Sequence, residues 1–71
     1  MIGFTLPEPS VIRLTVFDVL GREVTRLVDG MQYGSGEHHI RFDASTQPSG
    51  LYYYQLEVGR TMLTQRMLLL R

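Results

Sequence analysis

Apolar and polar residues alternate with a period of two along most of this chain. Glycine, proline or aspartate breaks the alternation about every 8 to 12 residues, the spacing of short strands joined by turns. Residues 1–6 place Ile2, Phe4 and Leu6 on one face and Gly3 and Thr5 on the other, which predicts a first strand. Pro7 and Pro9 stop it, because proline fixes φ and cannot donate to a ladder. Residues 11–18 read as a second strand, with Ile12, Leu14 and Val16 inward and Val11, Arg13, Thr15 and Phe17 outward. Arg13 and Thr15 mark the solvent side of that strand, so Phe17 is expected to be partly exposed or packed under a loop. Asp18, Val19, Leu20 and Gly21 form a predicted turn, with Gly21 free to take positive φ. In residues 22–28, Val24 and Val28 keep phase while Leu27 loses it, as at a β-bulge. Asp29 and Gly30 are expected to end this third strand. Gly30, Gly34 and Gly36 then punctuate a loop carrying one short edge strand near residues 31–33. Residues 37–43 alternate again: His38, Ile40 and Phe42 inward, Glu37, His39, Arg41 and Asp43 outward. A polar loop over 44–49, containing Pro48, delivers the chain to Gly50.

The run from Gly50 through Leu51, Tyr52, Tyr53, Tyr54, Gln55, Leu56 and Glu57 to Val58 is the strand that organises the rest. Three adjacent tyrosines suit a pleated, half-buried surface. Alternation puts Tyr52, Tyr54, Leu56 and Val58 in the core and Leu51, Tyr53, Gln55 and Glu57 outside. Gly21 and Gly50 at turns, with Tyr52, Tyr54 and Leu56 in the core, are the expected structural positions. Gly59 and Arg60 make a glycine-first two-residue turn of the type II′ kind. The last strand, over 61–71, pairs back with Leu63, Gln65, Met67 and Leu69 on one face and Met62, Thr64, Arg66, Leu68 and Leu70 on the other. No long segment has a helical period. The fold class is therefore all-β: a small antiparallel β-sandwich of six to seven strands, one domain over residues 1–71.

Length narrows the choice of function. A chain of 71 residues buries only about 60% of its unfolded surface, so most large side chains must serve the core. Little volume is expected for a pocket of roughly 300 Å³ or more. Seven acidic and seven basic residues balance to a net charge of zero, which argues against a nucleic-acid partner. With no cysteine there is neither a disulfide framework nor a thiolate metal site. No apolar run approaches the roughly 20 residues of a membrane-spanning helix, and no signal peptide is read at the N-terminus.

The candidate chemistry is thin. His38 and His39 are neighbours on a strand and point to opposite faces, so one metal cannot readily take both; they read as structural or solvent-facing. Asp18, Asp29 and Asp43 end three different predicted strands and read as turn and cap residues rather than calcium ligands. Nothing resembles a nucleophile elbow. Of the three tyrosines two face inward, so a flat platform for sugars is not expected; Tyr53 and Phe17 are the candidate exposed aromatics. No catalytic, cofactor-binding or metal residues are assigned, and no cofactor and no enzymatic activity are expected.

The C-terminal strand stands apart. Met67, Leu68, Leu69 and Leu70 are apolar on both faces of a terminal strand. Two readings stay open on physical grounds: a loop covers them or the tip frays, or this edge is a recognition strand for a partner.

A resemblance bears on that choice. The ordered set Val16-Phe17-Asp18-Val19-Leu20-Gly21-Arg22-Glu23-Val24, Leu27-Val28-Asp29-Gly30, Gly36-Glu37-His38-His39-Ile40-Arg41-Phe42-Asp43-Ala44-Ser45, Ser49-Gly50-Leu51-Tyr52-Tyr53-Tyr54-Gln55-Leu56 and Arg66-Met67-Leu68-Leu69-Leu70-Arg71 resembles the C-terminal sorting domain (type A, Por secretion system) of type IX secretion cargo. The resemblance implies an immunoglobulin-like or fibronectin III-like sandwich at the extreme C-terminus of a larger secreted protein from a Bacteroidota-type Gram-negative bacterium. Such a domain carries its cargo from the periplasm through the outer-membrane translocon to the cell surface or medium, and a sortase-like peptidase then removes it. The implied partners are translocon components, that peptidase and an upstream fused cargo, with weak self-association through the C-terminal strand. The family's terminal signal, a basic residue and Met, then apolar residues and a final basic residue, falls on Arg66, Met67, Leu68, Leu69, Leu70 and Arg71. The family commonly has Lys at both basic positions; Arg keeps the charge and changes the hydrogen-bond geometry. A second resemblance, to the immunoglobulin-like domain of the flagellar hook-capping protein, implies instead a structural or interaction module; a module of a carbohydrate-active protein belongs to the same alternative.

Overall fold

The computed structural model describes residues 2–43 and 45–70. Among them are six strands and no helix: β1 (Ile2–Leu6), β2 (Ser10–Phe17), β3 (Glu23–Tyr33), β4 (Gly36–Ile40), β5 (Gly50–Val58) and β6 (Thr61–Leu69). The strands form two antiparallel sheets, one of β1 and β4, the other in the order β3-β2-β5-β6. The fold is a small β-sandwich, as the alternation predicts.

The sheets meet over eight buried apolar side chains: Ile2, Leu6, Ile12, Leu14, Val16, Val28, Tyr52 and Leu56. Ile12, Leu14 and Val16 are fully enclosed because β2 lies between β3 and β5 and beneath the second sheet. Tyr54 and Val58 face inward as expected but are only half-buried. Thr15 corrects an expectation: it points outward yet is buried. It sits opposite Arg26 on one side and Gln55 on the other, and long side chains on flanking strands cover a short one between them.

The third strand does not end at Asp29 and Gly30. It continues to Tyr33, and the short edge strand expected near residues 31–33 is its last part. Three register shifts carry it along β2, leaving Gly30, Leu27 and Val24 as the extra residues. Ile12, Leu14 and Val16 therefore stand opposite Met31, Val28 and Thr25, every third residue of β3 instead of every second. The lost phase of Leu27 reflects one of these bulges, and Gly30 supplies the positive φ (69°) of another. The fourth strand is shorter than its alternation suggests and stops at Ile40, although Phe42 still packs against the core.

The turns follow their chemistry. Asp18 Oδ1 accepts the amides of Leu20 and Arg22, Oδ2 accepts Arg22 Nε, and Gly21 has φ 81°. Gly59 opens the β5–β6 hairpin with φ 57°; Arg60 has no positive φ, which excludes the type I′ alternative. Gly50 has φ 150°, a value that favours glycine as the chain enters β5. Met1, Ala44 and Arg71, assigned above to the first strand, the polar loop and the last strand, lie outside the described residues.

Six strands alternate in direction from start to finish. Ile2 of β1 and Leu69 of β6 therefore lie toward the same pole, together with the turn at Asp18–Gly21 and the entry to β5 at Gly50.

Candidate functional site: the β6 edge

β6 is the outer strand of the four-stranded sheet, paired with β5 alone. Its alternation is as predicted: Leu63, Gln65, Met67 and Leu69 turn toward the second sheet, and Met62, Thr64, Arg66 and Leu68 turn away. The burial is not that of an ordinary inner face. Only Met67 and Leu69 reach the core, as partly buried neighbours, while Leu63 is 52% exposed. The cause is the size of the second sheet. Two strands cannot cover four, and β6 is the strand left without a roof.

The uncovered space is a groove of about 480 Å³ between β1 and the inner face of β5 and β6, lined among others by Phe4, Leu6, Tyr54, Val58, Leu63 and Gln65. Its volume corrects the expectation that so short a chain has no room for a pocket. Its lining is mainly apolar and carries no carboxylate, histidine, lysine or arginine side chain, so what it offers a partner is chiefly apolar contact.

On the outer face Leu68 is 63% exposed, and Leu70, just beyond the strand, is 81% exposed. No loop covers them, so a covering loop does not account for the apolar run. Arg66 shares that face and has no ion pair among the described residues. The cations nearer the sheet centre are engaged: Arg13 lies 3.3 Å from Asp29 and 3.7 Å from Glu57, and Arg26 pairs with Glu23 and Asp29. Arg66, Leu68 and Leu70 thus form an exposed outer row at the pole where β6 ends, with Met67 and Leu69 half-buried between them. The tip of the β2–β3 turn, at the same pole but beyond β5, is apolar as well, with Val19 62% and Leu20 72% exposed.

The histidines are used elsewhere. His38 turns inward, stacks against Phe4 and Tyr33 at 5.5 and 5.0 Å between ring centroids, and donates from Nε2 to the Gly34 carbonyl at 2.7 Å. His39 turns outward beside Glu37, 3.3 Å away, and its ring lies over Gly3. Among the described residues no group of three or more His, Cys, Asp or Glu is placed to hold a metal. Asp18 and Asp43 are turn residues, as expected. Backbone hydrogen bonds, from Arg22 to Asp18 and from Ser45 to Asp43, hold both carboxyls below the ordinary carboxylate range. Asp29 differs: it sits within β3 and in the ion-pair network rather than at a strand end. Phe17 and Tyr53 pair across β2 and β5 on the outer face, each half-buried, and make no open platform.

A compact sandwich with an exposed apolar edge is the architecture of a recognition module. The family described as the secretion system C-terminal sorting domain matches residues 1–70; the chain belongs to that family and is a sorting signal for type IX secretion. No curated protein and no solved structure matches it. Nothing in the fold or in this match favours the hook-capping or carbohydrate-active alternative.

Proposed function

We propose that this chain is the non-catalytic C-terminal domain of a larger secreted protein, and that Arg66, Met67, Leu68, Leu69, Leu70 and Arg71 are the residues read by the secretion machinery. The observation that carries the reading is the exposed edge of β6. Apolar side chains face water on both sides of a strand that ends the fold, beside an arginine with no carboxylate partner among the described residues. Exposed unpaired strand edges are normally blunted by charge, bulges or cover; one left open and apolar is suited to a partner. The partners are translocon components at the outer membrane, reached from the periplasm, and a sortase-like peptidase that releases the cargo to the cell surface or medium. The same edge supports weak self-association when the domain is isolated. The sandwich beneath it holds the edge in place and performs no reaction.

The test fuses the chain to a periplasmic reporter in a bacterium with type IX secretion and removes residues 66–71. Loss of surface or medium reporter, with the reporter retained in the periplasm, is expected. Unchanged export after the deletion would overturn the role given to this strand.

A further inference from the structure

The sequence of β6 suits a different environment from the one it occupies. A strand buried on both faces reads as an unbroken apolar run, and a strand with one wet face alternates. Met67 through Leu70 is an unbroken apolar run, yet here it lies at a sheet edge with Leu68 and Leu70 in water. None of the eight buried core side chains comes from β6. Its apolar hold on the sandwich is limited to the partial burial of Met67 and Leu69, and its pairing is with β5 alone. All eight come from β1, β2, β3 and β5.

We infer that β6 is a donated strand: it leaves β5 from its free end and is taken up, extended, by an open strand edge on the receiving protein. This rests on the sorting role of the 66–71 segment and specifies how that segment is read. In the complex the apolar run gains the two-sided burial that its sequence suits: Met67 and Leu69 enter one apolar layer, and Leu68 and Leu70 the other. Arg66 marks the polar border of that run, so the acceptor carries a carboxylate where the strand enters. Separation starts at the C-terminal end because the Gly59–Arg60 hairpin pins the other, and donation requires it to run past Thr64 toward that hairpin. Local opening of this kind belongs to elements with few buried apolar contacts and exposed backbone hydrogen bonds.

Two measurements on the full chain decide it. In native-state hydrogen exchange, β6 amides bonded to β5 are expected to exchange at least tenfold faster than those of Leu14 and Val16, with little denaturant dependence, since peeling one edge strand exposes little surface. Exchange of β6 only with global unfolding would overturn the inference. The second measurement staples β6 in place. Gln55 and Thr64 stand opposite each other. Counted from the turn-closing pair Val58 and Thr61, they form a non-hydrogen-bonded pair with Cα atoms about 4.5 Å apart, within disulfide reach. The chain has no cysteine of its own, so Gln55→Cys with Thr64→Cys forms one defined bridge in the periplasm and leaves residues 66–71 intact. The double variant is expected to lose at least tenfold in export while each single variant exports normally. Normal export of the bridged domain would overturn donation while leaving the 66–71 segment as the signal, a result distinct from the deletion. Equal loss in the single variants would mean that the outer face of the docked strand is read, which overturns donation as well.

Discussion

The Tyr52 hydroxyl donates a 2.8 Å hydrogen bond to the Pro48 carbonyl, so one side chain both fills the core and fastens the loop that leads into β5. Tyr52 is 6% exposed and stands opposite Met67 of β6. Its two roles separate by substitution. Tyr52→Phe keeps the ring and leaves the Pro48 carbonyl to water, an expected cost of about 1 kcal/mol. Tyr52→Ala removes the ring from a closed site and is expected to cost about 3 kcal/mol or more. Tyr54 faces the same way but lines the open groove, where water replaces the lost ring, so Tyr54→Ala is expected to cost about 1–2 kcal/mol. Urea unfolding of the three variants checks the order; equal losses for Tyr52→Ala and Tyr54→Ala would contradict the half-roofed sandwich.

Gly30 gives a second, sharper comparison. Its φ of 69° is a left-handed conformation, and a Cβ added there would meet nothing closer than the Arg13 guanidinium at 3.7 Å. There is room for a side chain, so the penalty is backbone strain alone. Gly30→Ala is expected to lose about 1–2 kcal/mol, and Gly30→Asn less, because asparagine tolerates this region better. If alanine and asparagine are equally harmful in thermal melts, crowding rather than strain governs the site.

Asp18 determines part of the response to acid. Its folded pKa is lowered from 3.8, chiefly by the Arg22 amide, with the Arg22 guanidinium and the Leu20 amide adding to it. A depressed carboxyl contributes stability that is present above the unfolded value and lost as pH falls through the folded value. Asp43 behaves alike through the Ser45 amide. Melting temperature should therefore fall as pH drops below about 4, and Asp18→Asn, which cannot protonate, should flatten that fall while lowering stability at neutral pH. An unchanged acid limb in Asp18→Asn would remove Asp18 from this account.

Much of the architecture was legible from the chain because period-two alternation reports facing directly. Ile12, Leu14 and Val16 are fully buried, Tyr52 and Leu56 are core, and β5 begins at Gly50 and ends at Val58. What was not legible depends on neighbours far away in sequence. Nothing local in Asp29 and Gly30 distinguishes a turn from a bulge; only the continued pairing of Gln32 and Tyr33 with Val11 and Ser10 makes it a bulge. Thr15 looks like a solvent position until flanking strands are placed on both sides of it. The groove was missed for a similar reason. Leu63 has the pattern of an inward residue, and only the strand count of the opposite sheet leaves it without cover. The β6 edge was visible as a conflict between an apolar run and a terminal position, and the structure adds that no loop covers its outer face.

That exposure lets signal be separated from stability within a single strand. Leu68 and Leu70 are among the most exposed large apolar side chains of the domain, so Leu68→Asn and Leu70→Asn should change folding stability by no more than about 0.5 kcal/mol. Met67 and Leu69 touch the core, and their replacement by Asn should destabilise by roughly 1–2 kcal/mol as half-buried apolar contacts are lost. If the edge is the signal, all four substitutions reduce export of a fused reporter, and the outer pair does so with an unchanged melt. Arg66→Glu extends the comparison. The side chain has no ion pair among the described residues to lose, so the fold should tolerate the reversal, while a carboxylate facing it on the receiving protein would repel it. Arg66→Lys keeps the charge and should restore most of the export. Full export by Leu68→Asn, Leu70→Asn and Arg66→Glu, each with a native melt, would mean that the outer face of β6 carries no recognition at all.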